Sequence, residues 1–317
     1  MDSTQLWTLT DGNAGNRRQA DALAAALTHG PVMDWVLEPQ APWSWCAPRA
    51  LPGASAAFGT SFSHALAQPP RLAIGCGRQG ALATRLLRQR GSTAVQILDP
   101  RIDPRHWDLV IAPEHDGLVG DNVITLVGSL NPVDTLWLAQ ARAAFASFAD
   151  LPRPRTAVLL GGPSAHARFD LAAFEALASQ LDAALAHEGG SVMVTTSRRT
   201  PTDVIAALRK RYVETPNVVW CGDADGINPY PGMLAWADRI VASPDSVNML
   251  SEACATGVPV FVFDPDRVSG RPRRFLDALL ARRRIRRMDT TLASFPVEPL
   301  RETARIAALV KQRLSLA

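Results

Sequence analysis

The chain has 317 residues, too many for one ordinary core and too few for three, so two domains of about 150 residues each are expected. Hydrophobic residues make up 47% and charged residues 20%, an ordinary globular composition that excludes a disordered chain. The net charge of +3 conceals that only Lys210 and Lys311 are lysines; nearly all the positive charge is arginine, bunched at Arg271, Arg273, Arg274, Arg282, Arg283, Arg284, Arg286 and Arg287.

In chain order, a buried strand is expected over 6–10, then the polar loop 11–16 and a helix over 17–27. Further strands are expected over 32–37, 72–76, 95–98, 109–112 and 123–127, and a helix over 132–149 closes the first half. The pattern then restarts. Strand 157–160 ends in Gly161-Gly162 and is followed by helix 169–186, strand 192–196 and helix 201–211, with Pro201 at its start. Strand 218–220, a short helix 232–237 and strand 240–242 come next. A helix over 248–256, stopped by Gly257, leads to strand 258–263. These strands are short, near-continuous runs of Val, Ile and Leu, which suit parallel strands covered on both faces.

Two successive strand–helix series predict an α/β chain of two doubly wound, Rossmann-like domains facing a cleft. The domains are expected at 1–149 and 150–317, with the proline-containing stretch 150–155 as linker and the last helix free to pack back on the N-terminal domain. The proline-rich stretch 39–70, carrying Trp43 and Trp45, reads as an inserted loop or a lid. No apolar run approaches the roughly 20 residues of a membrane span, and residues 1–5 do not open like a secretory leader. Cys46, Cys76, Cys221 and Cys254 form neither a C-x-x-C pair nor a disulfide framework. A reducing cytoplasm is the expected compartment.

Parallel sheets bind ligands beyond the carboxyl ends of their strands, so the loops after strands carry the candidate chemistry. Gly75-Cys76-Gly77-Arg78-Gln79-Gly80 follows an apolar strand and Asp99 ends the next one, as in a dinucleotide fingerprint. The motif falls on a later strand of its domain, however. An NAD-dependent nucleotide-sugar enzyme would also pair a tyrosine with a lysine four residues on, and neither Tyr212 nor Tyr230 has one. Asp223-Ala224-Asp225 has the form that holds a divalent ion against a diphosphate. Asp264-Pro265-Asp266 repeats it, and aspartate is frequent in turns, so no metal is expected. The stretch 243–259 ends a strand, turns through polar residues and starts a helix with Asp245 or Ser246 as N-cap. The free N–H groups and positive dipole end of such a helix suit a phosphate. Glu252, about two turns in, would then accept both hydroxyls of a ribose; an ordinary capped helix with a solvent-facing glutamate fits the same spacing.

Ser251-Glu252 followed by Gly257-Val258-Pro259 resembles the nucleotide-sugar site of two-domain GT-B glycosyltransferases. More closely, the chain resembles bacterial relatives of the plant mitochondrial-fission family named for elongated mitochondria. The matching signatures are Asp11-Gly12 with Gly15-Asn16, Gly77-Arg78, Pro113-Glu114-His115-Asp116, the stretch 195–201, Asn228-Pro229-Tyr230 and the stretch 245–259. The resemblance implies a GT-B-like fold and a metal-independent glycosyltransferase with a nucleoside-diphosphate sugar as donor substrate and no cofactor. Some relatives carry an epimerase label. The plant members are fission factors that act through a partner protein at the outer mitochondrial membrane, so a non-catalytic protein-interaction factor is the alternative.

Within that reading, Gly162, Ser197, Arg198 or Arg199, Asp245 and Ser246 would hold the diphosphate, since an arginine fork pairs well with phosphate oxygens. Of two adjacent arginines, one usually points away. Ser251 and Glu252 would meet the ribose. Asn228 and Tyr230 would hold the base or the sugar, unless they only form a turn with Pro229 and Pro231. The first half would supply Gly12 and Asn16 on the acceptor side and a general base, Asp11 or His115; Asp11 also fits a plain turn, and His115 a structural histidine. His166 ranks lower as a phosphate contact. The acceptor would be lipid-linked or another glycan. The arginines of 271–287 read either as a solvated helix face or as a surface for an anionic inner membrane. No specific nucleic-acid partner is expected, because no aromatic residues interleave them.

Overall fold

The structure is a computed structural model that describes residues 6–213 and 215–316; residues 1–5, read above for a leader, lie outside it. The chain divides into two compact units, one running to Pro132 and resuming at Glu302, the other spanning Val133–Arg301.

In the first unit, β1 (Leu6–Thr10), α1 (Ala14–Leu27) and β2 (Val32–Val36) are followed by two short helices, α2 (Trp43–Cys46) and α3 (Gly59–Ala65). Then come β3 (Leu72–Cys76), α4 (Gly77–Arg88), β4 (Thr93–Ile97), β5 (Leu109–Pro113) and β6 (Val123–Leu126). The six strands form one parallel sheet in the order β2-β1-β3-β4-β5-β6. Successive side chains point to opposite faces. Leu6, Leu72, Ile74 and Ile111 therefore pack on one face with Ala20, Leu23 and Ala24 of α1. Trp7, Leu9 and Ala73 pack on the other with Phe62 of α3 and Leu82, Leu86 and Leu87 of α4. The last helix, Glu302–Leu314, adds Ile306, Ala307 and Val310 to the first of these faces. It is anchored where Glu302 accepts the Val127 N–H at 3.0 Å and Thr303 donates to the Asn131 carbonyl at 2.7 Å.

The second unit opens with α5 (Thr135–Ala144), followed by β7 (Arg155–Leu160), α6 (Leu171–Glu188), β8 (Ser191–Thr196), α7 (Thr202–Arg211) and β9 (Asn217–Trp220). Next come α8 (Tyr230–Trp236), β10 (Arg239–Ala242), α9 (Val247–Ala255), β11 (Val260–Val262), α10 (Gly270–Ala281) and β12 (Ile285–Arg287). Its sheet is again parallel and six-stranded, in the order β12-β11-β10-β7-β8-β9.

The boundary at 149/150 does not match this division. Helix α5 was assigned to the first half, but it docks on α8 of the second unit: Arg142 Nε donates to the Ala235 carbonyl at 2.7 Å, and a Cβ on Gly232 would lie 2.5 Å from the Phe145 ring. The stretch 150–155 is not a linker either. Asp238 pairs with Arg153 and accepts the Arg155 N–H at 2.7 Å, while Arg155 donates back to the Ala149 and Leu151 carbonyls. Strand β12 was not anticipated, because Ile285 is its only apolar residue.

In each sheet the chain leaves in opposite directions from a central pair of strands. The pair is β1 and β3 in the first unit, and β7 and β10 in the second. The loops after these strands open at the topological switch point, where doubly wound sheets admit ligands.

Glycines set how closely the first unit's switch point packs. A Cβ on Gly80 would lie 2.5 Å from the Leu9 carbonyl oxygen, and one on Gly75 2.6 Å from the Gly80 oxygen. Gly80→Ala is expected to cost about 1–3 kcal/mol by forcing α4 off β1. Gly257→Ala, with nothing within 4 Å of its added Cβ, should stay within about 0.5 kcal/mol. Urea denaturation of the two variants checks this; equal midpoints would show that the close approach is not required.

Candidate functional site

The second unit's switch point is organised by one buried carboxylate. Asp245, in the loop after β10, has no exposed side-chain surface. Its oxygens accept from the Gly162 N–H at 2.9 Å, the Ser243 hydroxyl at 2.7 Å and Arg199 Nη2 at 2.9 Å. Ser243 Oγ in turn accepts the Gly161 N–H at 2.7 Å. Only glycine fits at 161 and 162: a Cβ on Gly161 would sit 2.0 Å from Asp245 Oδ2, and one on Gly162 2.1 Å from the Arg199 carbonyl oxygen. The loops after β7, β8 and β10 are thus one hydrogen-bonded piece.

This assigns several expected ligand residues to the frame. Asp245 and the Gly162 N–H satisfy one another rather than facing a ligand. Arg199 also donates to the Gly162 and Pro163 carbonyls, so it is the arginine that turns inward. Arg198 is exposed and makes no side-chain hydrogen bond or ion pair among the described residues. The Ser197 hydroxyl belongs to its own turn, against Thr200 Oγ1 and the Arg199 N–H. Ser246 is the N-cap of α9, accepting the Met249 N–H at 3.4 Å. Its first turn is half-buried. Ser251 is buried and donates to the Val247 carbonyl of its own helix at 2.7 Å.

Glu252 is buried, not solvent-facing, and accepts a hydrogen bond from the Tyr230 hydroxyl, itself buried at the start of α8. Asn228 is exposed and its Oδ1 accepts the Tyr230 N–H at 3.0 Å, the turn role weighed for it above.

The far end of α9 is held by a residue that sequence reasoning placed on the surface. Arg284 is buried and donates to the carbonyls of Ala253, Cys254, Thr256 and Val258, and burial lowers its pKa. The first three of these carbonyls are orphan acceptors of the helix terminus, and a cation there complements the dipole. Gly257 has no positive φ, so the left-handed stop expected there is replaced by this clamp.

In the first unit, the Asp11 carboxylate accepts from the Asn13 N–H at 3.1 Å, Asn13 Nδ2 at 2.7 Å and Asn16 Nδ2 at 2.9 Å. Gly12 takes a left-handed φ of 75° beside Val36, and Gly77, after β3, abuts the Asn16 amide. Asp11, Gly12 and Asn16 therefore share the switch point. His115 does not join them. It lies in the turn after β5, and three strand spacings put β5 about 14 Å from β1.

The remaining motifs resolve into packing. Gly80 serves the close contact of α4 with β1, Gly75 the contact of β3 with Gly80, and Gly77 the contact with the Asn16 amide. Asp225 takes Arg209 at 2.7 Å and the Cys221 N–H at 2.7 Å. Asp266 lies between Arg287 and Arg273, whose hydrogen bonds bring its pKa down to about 2. No group of three or more metal-ligating side chains is placed to hold an ion among the described residues. The His166 ring lies against Gly270, and its carbonyl accepts the Ser269 N–H at 2.9 Å. The arginines of 271–287 do not form one helix face. They divide among α10, the turn after it and β12, with Arg286 stacked 4.2 Å from the Phe295 ring centre and Arg274, Arg282, Arg283, Arg286 and Arg287 exposed.

The family model for mitochondrial fission ELM1 matches residues 14–314. The chain belongs to the mitochondrial fission ELM1 family. It is 31% identical over 277 residues to mitochondrial fission protein ELM1 of Arabidopsis thaliana, a match covering 78% of this chain and 64% of that protein. The chain thus spans less than two thirds of that relative's length. An uncharacterized Rickettsia prowazekii protein, RP120, is 25% identical over 358 residues, 98% of this chain and 99% of its own. Among solved structures, UDP-GlcNAc 2-epimerase from Neisseria meningitidis, bound to UDP-GlcNAc, is similar with a TM-score of 0.56 at 12% identity, covering 98% of this chain and 99% of that one. That likeness is one of fold, and the fold is GT-B-like. No helix of the described residues is long and apolar enough to cross a membrane.

Asp245→Ala is expected to lower stability by about 3 kcal/mol, because it orphans the Gly162 N–H and the Ser243 hydroxyl in a buried place. Arg198→Ala should change it by no more than about 0.5 kcal/mol. Thermal or chemical denaturation of both variants checks the contrast; equal stabilities would contradict the frame role of Asp245.

Proposed function

We propose that the chain is a metal-independent glycosyltransferase of GT-B type that uses a nucleoside-diphosphate sugar. The observation that carries this reading is the second unit's switch point. There Asp245 locks the Gly161-Gly162 loop and Arg199 onto the start of α9, and the exposed Arg198 belongs to the same cluster of loops as the Ser246-capped turn. A helix N-terminus and a guanidinium together stabilise a leaving diphosphate without an ion. Glu252 is the ribose partner in this reading, with the Tyr230 hydroxyl occupying the carboxylate oxygen that a ribose hydroxyl would take. Asp11 is the general base. Oδ2 receives a single donor, and a carboxylate oxygen has room for a second. The fold likeness to a UDP-GlcNAc-binding enzyme supports a nucleotide-sugar ligand.

Isothermal titration with UDP, GDP, ADP and CMP tests the site. One of them should bind, Arg198→Ala should weaken it about tenfold, or about 1.4 kcal/mol, and Glu252→Gln should do the same. Tyr230→Phe should leave binding equal or tighter. Absence of binding by all four nucleotides, or binding indifferent to Glu252→Gln, would remove the assignment. A second reading, a non-catalytic protein-interaction factor, draws on Val32, Met33 and Val36, which stand 40%, 44% and 50% exposed on the edge strand β2; it predicts the no-binding outcome.

For the acceptor we propose a lipid-linked or other glycan, with the protein docked peripherally on an anionic leaflet through Arg274, Arg282, Arg283 and Arg286. Attraction of this kind is worth about 1 kcal/mol per arginine and fades with salt. Co-sedimentation should be greater with phosphatidylglycerol-containing vesicles than with neutral ones, and should fall as sodium chloride rises; equal sedimentation with both would remove the contact.

A further inference from the structure

Trp45 is 75% exposed, the one aromatic among the exposed large hydrophobic side chains of the described residues. A free indole of this size normally finds an apolar neighbour and a partner for its N–H. Nor does it sit on a loose loop. Arg78 Nε donates to the Ala47 carbonyl at 3.0 Å, and Arg78 Nη2 to the carbonyls of Trp45 at 3.0 Å and Ser44 at 3.3 Å. Gln79 Nε2 reaches Ser44 O at 3.4 Å and Arg85 Nη1 reaches Pro48 O at 2.5 Å. Beside it, Trp43 packs on the cluster of Trp7, Phe62 and Leu82. Two arginines and a glutamine of α4 thus hold the backbone on both sides of a side chain that is itself left in water.

The place is specific. Arg78 follows Gly77, Gly77 abuts the Asn16 amide, and Asn16 donates to Asp11. The clamp on Trp45 therefore belongs to the loop cluster at the carboxyl end of the first unit's sheet, which also holds Asp11, Asn13 and Asn16. An exposed indole, a carboxylate and side-chain amides thus all lie at this carboxyl end of the sheet.

We propose that Trp45 is the platform on which a pyranose ring of a carbohydrate acceptor stacks. A hexose has a C–H face that suits an indole and a rim of hydroxyls that suits carboxylates and amides, and a few polar groups around an apolar surface are the usual makeup of a small-ligand site. Holding the ring in advance lowers the ordering cost of binding. Insertion into a membrane is the poorer account, since no other large hydrophobic of residues 39–70 is exposed beside it. The proposal rests on the first unit being the acceptor side of the transferase reading.

The test is an array of neutral and N-acetylated hexose oligosaccharides probed with the full chain, Trp45→Ala and Trp45→Phe, with UDP, GDP, ADP and CMP titrated separately. The wild type should retain at least one glycan class, Trp45→Ala should lose it tenfold or more, and Trp45→Phe should keep most of it. Melting temperatures should be unchanged, because the side chain is exposed. A wild type that retains no glycan, or a Trp45→Ala variant that binds like the wild type, overturns the platform. Glycan binding that depends on Trp45 in a protein that binds no nucleotide would uphold the platform while removing the transferase reading.

Discussion

The second unit depends on a carboxylate that never meets solvent. A buried charge is costly unless it is paired and hydrogen-bonded, and Asp245 meets that condition with a backbone N–H, a hydroxyl and a guanidinium. Because those donors come from the loops after three different strands, satisfying the charge also fixes the loops relative to one another. The sheet alone would not do this, for parallel strands position the start of each loop and nothing beyond it. The rest of the candidate site follows from the lock. Arg199 is committed inward, Arg198 is left outward, and α9 begins at a set place. Its other end is set by Arg284, so the helix is held at both termini by polar contacts rather than by packing alone.

The first unit solves the same problem with a shorter-range device. Asp11 collects three donors from Asn13 and Asn16, a local turn rather than a tie between distant loops. The tie is steric instead: Gly77 and Gly80 allow α4 to approach so closely that Asn16 and the Leu9 carbonyl are its neighbours. Both carboxylates accept three donors, but Asp11 is half-buried whereas the Asp245 side chain has no exposed surface.

Most of the strands were legible because a strand buried on both faces must be apolar throughout, and runs such as 72–76 and 109–112 admit no other role. What escaped the sequence was decided by tertiary partners. Helix α5 carries no mark that it docks on α8, more than eighty residues later in the chain, so composition put it with what precedes it. Strand β12 was hidden because only Ile285 faces the core. Arg284 looks like its neighbours, yet it is buried because four carbonyls await it. In the site, the positions of Asp245, Ser246 and Glu252 were legible from the strand–turn–helix pattern, but their roles were not. Whether an aspartate at a strand end faces a ligand or a neighbouring loop depends on the glycines opposite it, here Gly161 and Gly162. Trp45 was noticed only as part of a proline-rich stretch. Nothing in its local sequence says that Arg78 would hold its backbone.

The family membership and the fold answer different questions. A GT-B-like fold brings two switch points, and a nucleotide-sugar enzyme of quite different chemistry shares it; fold alone does not choose among transfer, epimerisation and binding. The choice rests with side chains that the frame leaves uncommitted. In the second unit the clearest is Arg198, exposed and without a side-chain hydrogen bond or ion pair among the described residues, in the loop after β8. In the first unit they are one oxygen of Asp11 and the face of Trp45. In the proposed transferase reading, the groups at the two switch points differ in the way that donor and acceptor substrates differ.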